Sequence, residues 1–424
     1  MRTTAESPLA AWAACGGMAL TGQAGGPPLA SPGNPAGAVR RALAAFAAHT
    51  GLDVDGLPGP ELLGERSVLA GFGRRAPWSV GGSFRILPCV DGPIGMSLSR
   101  PTDLELVPAL VEDGDPGEPW AAVAAWAAGE RAADAVGRAQ LLGIPASVIP
   151  RSPGEAKDEQ TAHRSLCRAV TGGPRRAPGL PPLVVDLSAL WAGPLCAHLL
   201  GLAGARVVKV ESPDRPDGAR SGSSAFYDLL HAGHASVCLD LTSSRGRDAL
   251  LRLVERADVV LESSRPRALR RMGVLAEEAV ARGTVWTSIT AYGRTGPWSD
   301  RVGFGDDVAA AAGLVVHDPE TGSPLPCGDA LADPLTGVAA AAATAAALRE
   351  GHGRLIDLAM REVALAAGTA PGPEPHTVSR CPDGTWRVET EHARFPVRNP
   401  RARTPHGRAR GLGADNAAYA GDMA

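Results

Sequence analysis

The chain has 424 residues, 44% of them hydrophobic, with 42 Lys and Arg against 45 Asp and Glu and a formal net charge of −3. That length supports two or three domains whose cores need no staples, and the near-balanced charge gives no basic surface for nucleic acid. Seven cysteines are scattered without a C-x-x-C pair, which argues against a metal site or a disulfide framework and suits a reducing, cytoplasmic compartment; no stretch of about twenty apolar residues offers a membrane span.

The start, MRTTAESPLAAWAACGG, has an apolar patch but a weak basic region and an early Glu6, so it does not read as a signal peptide. PAGAVRRALAAFAAHTG (35–51) has helical periodicity and ends at a glycine. GGSFRILPCVDGPIGMSLS (81–99) reads as two short strands about a Val-Asp-Gly-Pro turn. PWAAVAAWAAGERAADAVGRAQLLGIP (119–145) reads as helices that stop at Gly143 and Pro145. These elements make a first block, 1–150. The polar, proline-rich stretches RSPGEAKDEQ and TGGPRRAPGLPP then place a linker at 151–181.

From Leu183 the pattern changes. A strand (183–187), a helix (193–203) and a strand (206–211) are followed by SVCLDL as a strand and a helix over 243–257. A strand at 258–264, a helix over 266–283 and a strand at 284–293 complete the run. Strands alternating with helices predict an α/β fold with an open, mostly parallel, Rossmann-like sheet covered on both faces, over 182–370. Residues 371–424 read as a partly irregular return segment. There is also an internal echo at an offset of 300 residues: Thr21-Gly22 with Thr321-Gly322, Gly37 with Gly337, and Gly51 with Gly351.

The first strand–turn–helix has the makings of a nucleotide site, because a helix start after a strand presents free N–H groups to phosphate. Its turn, SALWAGPL, carries one glycine, Gly193, and lacks G-x-G-x-x-G, which disfavours NAD. Glu211 closes the next strand, as a ribose-binding acid would. Arg265, in LESSRP at a strand end, suits a phosphate, against the plainer reading of a surface arginine. His231 and His234 in HAGH read as loop residues that contact a phosphate or solvent. Asp329 and Asp333, in CGDALADPLTG, stand before an alanine-rich helix with no Lys or Arg among them; for Asp333 the plain reading is a helix N-cap.

Five ordered motifs now carry a resemblance. VVDLSALWAGPLCAHLLGLAGARVVKVESP, SVCLDL, DVVLESSRP, AYGRTGPWSDRVGFGDDVAAAAGLV and ALADPLTGVAAAAATAAALREGHGRLIDLAMRE resemble, in that order, the family III CoA-transferases. PVRNPRARTPHGRARGLGADN looks like that family's closing segment, and 1–150 looks like a truncated first copy containing its small α+β domain, so the chain resembles a rearranged fusion. The resemblance implies an acyl-CoA:carboxylate CoA-transferase working through an aspartyl-CoA thioester. It implies no tightly bound cofactor, acyl-CoA and carboxylic acids as substrates, and an interlocked homodimer. It places the nucleophile at Asp333, four residues before Gly337, and CoA contacts at Ala192, Gly193, His234 and Arg265. An aspartate at a helix start is expected to stay ionised. The chain departs from the family at Phe304-Gly305, where Tyr-Glu or His-Asp is usual. The alternatives are an α-methylacyl-CoA racemase, which needs a second acid/base that Phe304 cannot supply, and a non-catalytic CoA-binding partner protein.

Overall fold

The computed structural model describes residues 7–158, 167–175 and 181–419. A seven-stranded sheet runs in the order Cys167–Pro174, His352–Ala359, Val285–Thr290, Val259–Glu262, Leu183–Leu187, Arg206–Glu211, Ala235–Cys238. Every neighbouring pair is parallel except the first, where Cys167–Pro174 runs antiparallel along His352–Ala359. The strand sequences LVVDL and VVLE are mostly apolar because helices cover both faces; Val184, Val185, Val259, Val260 and Leu261 are all buried. The expected α/β fold and mostly parallel sheet are therefore present.

Two expectations need revision. The helix expected over 266–283 is two helices, Pro266–Arg271 and Ala276–Ala281, separated by Gly273 at φ +80°. A glycine in that left-handed conformation ends a helix. The stretch 151–181 is in part ordered structure: a short helix, Pro153–Asp158, and the edge strand Cys167–Pro174. Residues 159–166 and 176–180 lie outside the described residues. The Gly172-Gly173 pair reads as a turn in sequence, but its function is close approach. A Cβ there would stand 2.2 Å from Val280 O and 2.1 Å from Ala281 O, so only glycine lets this strand lie against the helix Ala276–Ala281.

The helix Ala332–Arg349 is buried on nearly every side, which explains its alanines. It packs between the helices Ala192–Leu202 and Pro35–Thr50 and lies on the sheet. The two alanine-rich helices of the internal echo are thus neighbours. Thr344 Oγ1 meets Thr287 Oγ1 at 2.7 Å and ties the helix to the sheet. Gly337 allows the closest contact: a Cβ there would be 2.7 Å from Ala192 O and 2.9 Å from Leu195 Cβ.

The first block contains a three-stranded antiparallel sheet, Phe84–Cys89, Gly92–Ser97 and Ala146–Val148. With the helices Pro119–Gly129 and Ala132–Leu142 it encloses Leu87, Ile94, Met96, Val123 and Val136. It packs on the helix Gly305–Ala311 of the second block. After the helix Met360–Gly368, a small sheet of Thr377–Arg380, Trp386–Glu389 and Arg394–Pro396 leads into irregular chain. Among the described residues no helix is long and apolar enough to cross a membrane.

Candidate active site

Strand order reverses between Leu183–Leu187 and Val259–Glu262. Open α/β sheets bind ligands at the strand carboxyl ends beside such a switch point. The two loops that leave these strands meet there, with Ala189 N–H donating to Ser263 Oγ at 3.2 Å. The loops that lead to Ala192-Gly193 and to Arg265 therefore run side by side at this switch point. A Cβ at Gly193 would stand 2.0 Å from Ser188 Oγ, so the turn closes tightly on the strand end. Arg265 is exposed. Burial of its inner part and the like charges of Arg267, Arg100 and Arg215 push its pKa down, with Asp300 opposing. A cluster of guanidinium groups with so little acid is suited to phosphate.

Asp333 occupies the first turn of the helix Ala332–Arg349, whose N-cap is Leu331 with no side-chain cap hydrogen bond. The N-cap reading of Asp333 is thereby corrected: its carboxylate points away from its own helix. It accepts the backbone N–H of Ala192, one of the unsatisfied donors at the start of the neighbouring helix. The four-residue spacing to Gly337 now has a physical reason. Asp333 and Gly337 share one helix face, and the missing side chain at 337 brings the Ala192 helix close enough for that contact.

The opposite wall is Gly305. A Cβ at 305 would stand 2.2 Å from Asp333 Oδ2 and 2.5 Å from Ala330 O, so the carboxylate lies directly over this glycine. Around it are two more acids and one base. Asp329 is fully buried. It binds Arg66 through both carboxylate oxygens, with Nε to Oδ2 at 3.1 Å, and accepts Ser67 Oγ–H at 2.6 Å. Asp306 Oδ1 accepts Ala330 N–H at 2.9 Å. Burial disfavours the Arg66 charge, but Asp329, Asp306 and Asp333 outweigh it and raise its pKa. Its guanidinium also lies 5.4 Å from the centre of the Trp191 ring.

Burial pushes the Asp333 carboxyl up to about 7; Arg66 opposes, while Asp306 and Asp329 add to the rise. The expectation that the helix dipole keeps Asp333 ionised is overturned. Desolvation and two neighbouring acids outweigh a helix end. Asp306 is raised to about 6 by burial, against Arg66.

His234 lies elsewhere. It precedes the strand Ala235–Cys238 at the amino edge of the sheet, with Nε2 3.3 Å from where a Cβ of Gly201 would be. Gly201 is near the far end of the helix that begins at Ala192, about 13.5 Å away at 1.5 Å per residue. Burial and Lys209 lower the His234 pKa to about 4, so the expected cation is neutral and removed from the switch point. His231 is buried beside it. Glu211 is committed internally to Arg220, with Nη2 to Oε2 at 2.6 Å, and to Asp217 N–H at 2.8 Å. Among the described residues no three His, Cys, Asp or Glu are grouped to hold a metal ion.

Sequence reasoning missed the first block's share of this site. Arg66 and Ser67 hold Asp329, and Ser79 bonds Asp306. Ser97 Oγ donates to Asp307 at 2.9 Å, and Arg100 stands 5.5 Å over the Phe304 ring. The available signal was two acids, Asp329 and Asp333, with no local cation.

Residues 181–380 match the family described as CoA-transferase family III. Among curated relatives, the chain is 32% identical over 197 residues to succinyl-CoA–D-citramalate CoA-transferase of Chloroflexus aurantiacus, covering 43% of this chain and 49% of the relative. It is also 32% identical over 219 residues to succinate–glutarate CoA-transferase of Agrobacterium fabrum, covering 46% and 54%. The chain thus spans about half the length of the curated relatives it matches. A solved CAIB/BAIF family protein from Brucella suis aligns with 28% identity and a TM-score of 0.44 over 51% of this chain and 66% of that one. The match to the family and the named relatives support an enzyme of the CoA-transferase kind.

Proposed function

We propose that the protein moves CoA between carboxylic acids through an aspartyl-CoA thioester on Asp333. The observation that carries this reading is the position of the Asp333 carboxylate, between the Ala192 N–H and Gly305 and within reach of the switch point. The ionised carboxylate attacks the thioester carbonyl, the C–S bond breaks, and CoA leaves as a thiolate, giving a mixed anhydride. The thiolate attacks the Asp333 carbonyl and releases the donor acid. An acceptor carboxylate then attacks the aspartyl-CoA thioester and expels the CoA thiolate, giving a second mixed anhydride; the thiolate attacks the acceptor's carbonyl, the new acyl-CoA leaves, and Asp333 is regenerated. Arg265 and its neighbouring arginines receive the CoA phosphates, and the Ala192-Gly193 turn supports the pantetheine end. The Ala192 N–H, aimed at Asp333, stabilises the oxyanion that develops there.

A racemase would need a second acid/base in the place of Phe304-Gly305, and neither residue can serve. The same reading takes 1–150 as a truncated first copy, the second block as the CoA-binding half and the working unit as a homodimer. Intact mass measurement after incubation with succinyl-CoA tests the chemistry. A covalent CoA adduct that maps to Asp333 and is trapped by hydroxylamine is expected. Reversible CoA binding with no adduct would identify a binding protein instead.

A further inference from the structure

Asp306 follows Gly305 on the first turn of the helix Gly305–Ala311. One residue joins it to the backbone of Asp333: the Ala330 N–H donates to Asp306 Oδ1 at 2.9 Å, and the Ala330 carbonyl accepts the Asp333 backbone N–H at 2.9 Å. Ala330 makes both bonds at φ +46°, the left-handed region that a residue with a side chain seldom enters. Of the charged groups that face this pair, Arg66 on the helix Glu65–Ala70 is the cation, and Asp329 already occupies the Nε–Nη2 edge of its guanidinium. Asp307, the next residue, is buried and turned to Ser97 Oγ and Phe304 N–H at 2.9 Å each. Three carboxyls thus surround one committed guanidinium. Two fixed negative charges in excess are costly where water is scarce, and a proton on one carboxyl removes half of that excess.

Resting on the reading of Asp333 as nucleophile, we propose that Asp306 is its proton-sharing partner, and that Gly305 makes the pairing possible. Any side chain at 305 would collide with Asp333 Oδ2 and the Ala330 carbonyl, both of which lie against this glycine. The pair carries a single proton. When Asp306 holds it, Asp333 is the anion that attacks; when Asp333 holds it, attack stops. Asp306 is in this sense a positioning residue that sets the pH at which the nucleophile forms.

The test is the rate of adduct formation from succinyl-CoA between pH 5 and 9, for the wild type, Asp306→Asn and Gly305→Ala. The amide introduced by Asp306→Asn keeps an oxygen for the Ala330 N–H, so the fold should hold and the melting temperature should not fall. In the wild type the rate should rise with pH through the neutral range. In Asp306→Asn the lost negative charge should move that rise down by about one pH unit, a roughly tenfold gain on its acid side. Gly305→Ala should lose adduct formation by about a hundredfold while still binding CoA. An unchanged acid limb in Asp306→Asn overturns the proposal. An infrared titration of the protonated-carboxyl band reads the pairing without any chemistry: the midpoint near neutrality should fall in Asp306→Asn, and a midpoint that stays put also overturns it. A wild type that shows the shifted band but no adduct at any pH would keep the pairing and remove Asp333 as nucleophile.

Discussion

Two buried polar clusters lie at either end of the turn 188–191, and they are built on opposite principles. At one end Lys209, 2% exposed, meets Asp217 at 2.9 Å and Asp186 at 3.7 Å. Backbone donors gather on the Oδ1 atoms: Leu190 N–H and Ala219 N–H reach Asp217 at 2.9 and 3.0 Å, and Ser188 N–H reaches Asp186 at 2.9 Å. Burial disfavours the Lys209 charge, but Asp186 and Asp217 outweigh it and raise its pKa. At the other end three carboxyls share Arg66, and Asp333 has one backbone donor. The first cluster is compensated and serves geometry. It fixes Leu190 at φ +70° and so aims the Ala192 helix. The second is short of positive charge, and that shortage keeps a carboxyl near neutrality poised to change its protonation. The compensated cluster holds the undercompensated one in place.

The largest effect should come from removing the compensation. Lys209→Met leaves two carboxylates buried beside an apolar side chain. Losing one partner of a buried pair costs about 3–5 kcal/mol. Chemical denaturation should show that loss, and recovery at low pH, where Asp186 and Asp217 protonate, would identify its origin. A variant as stable as the wild type would show that the clusters do not differ as described.

Next in size is Asp333→Asn. Adduct formation should fall by roughly 10⁴-fold or more, since an amide cannot form the anhydride. Stability should move the other way. A carboxyl raised from 3.8 to about 7 contributes stability below pH 3.8 that is lost as pH rises through 7. The Asn variant escapes that loss. Its melting temperature should therefore exceed the wild type's by a margin that grows from pH 4 to 7 and then levels. A margin that shrinks over that range would mean that Asp333 is held ionised by the fold.

Arg66→Gln sharpens the comparison from the other side. Without the guanidinium, Asp333 should ionise at higher pH, and its acid limb should move up by about 1 unit. Near pH 7 the adduct rate should drop roughly tenfold and recover by pH 9. A uniform drop at every pH would mean that Arg66 acts on substrate rather than on the carboxyls.

Much of the sheet was legible in the sequence because parallel strands buried on both faces are rich in apolar β-branched residues, and the valines of LVVDL, VVKVE and VVLE mark such strands. The Asp333–Gly337 spacing was legible too, although its cause, the approach of the Ala192 helix, is a tertiary fact. What could not be read was distance along the chain. Arg66 meets Asp329 across 263 residues, and Ser97 meets Asp307 across 210. No local pattern announces such partners. His234 failed for a related reason: HAGH looks like an exposed loop, and burial against Gly201 and Lys209 depends on packing that lies outside the motif.

The smallest effect should belong to Asp329, the acid that resembles Asp333 most closely in sequence. Asp329→Asn keeps an oxygen for Ser67 Oγ–H and for one Arg66 N–H, so the turn before the helix should hold. Two electrostatic consequences then act in the same direction. The negative charge that helps raise Asp333 is gone, and Arg66 is less committed to the residue beside it. Asp333 should ionise at lower pH, so the adduct rate at pH 6 should equal or exceed the wild type's, while at pH 8 it should stay within about tenfold. The cost is a partly buried Arg66 with a weaker partner, on the order of 1–3 kcal/mol by denaturation. Peptide mapping of the adduct decides the matter. If the CoA adduct still maps to Asp333 in this variant, Asp329 is the compensated acid and Asp333 the reactive one. If adduct vanishes here at a matched melting temperature and persists in Asp333→Asn, the roles of the two acids are exchanged.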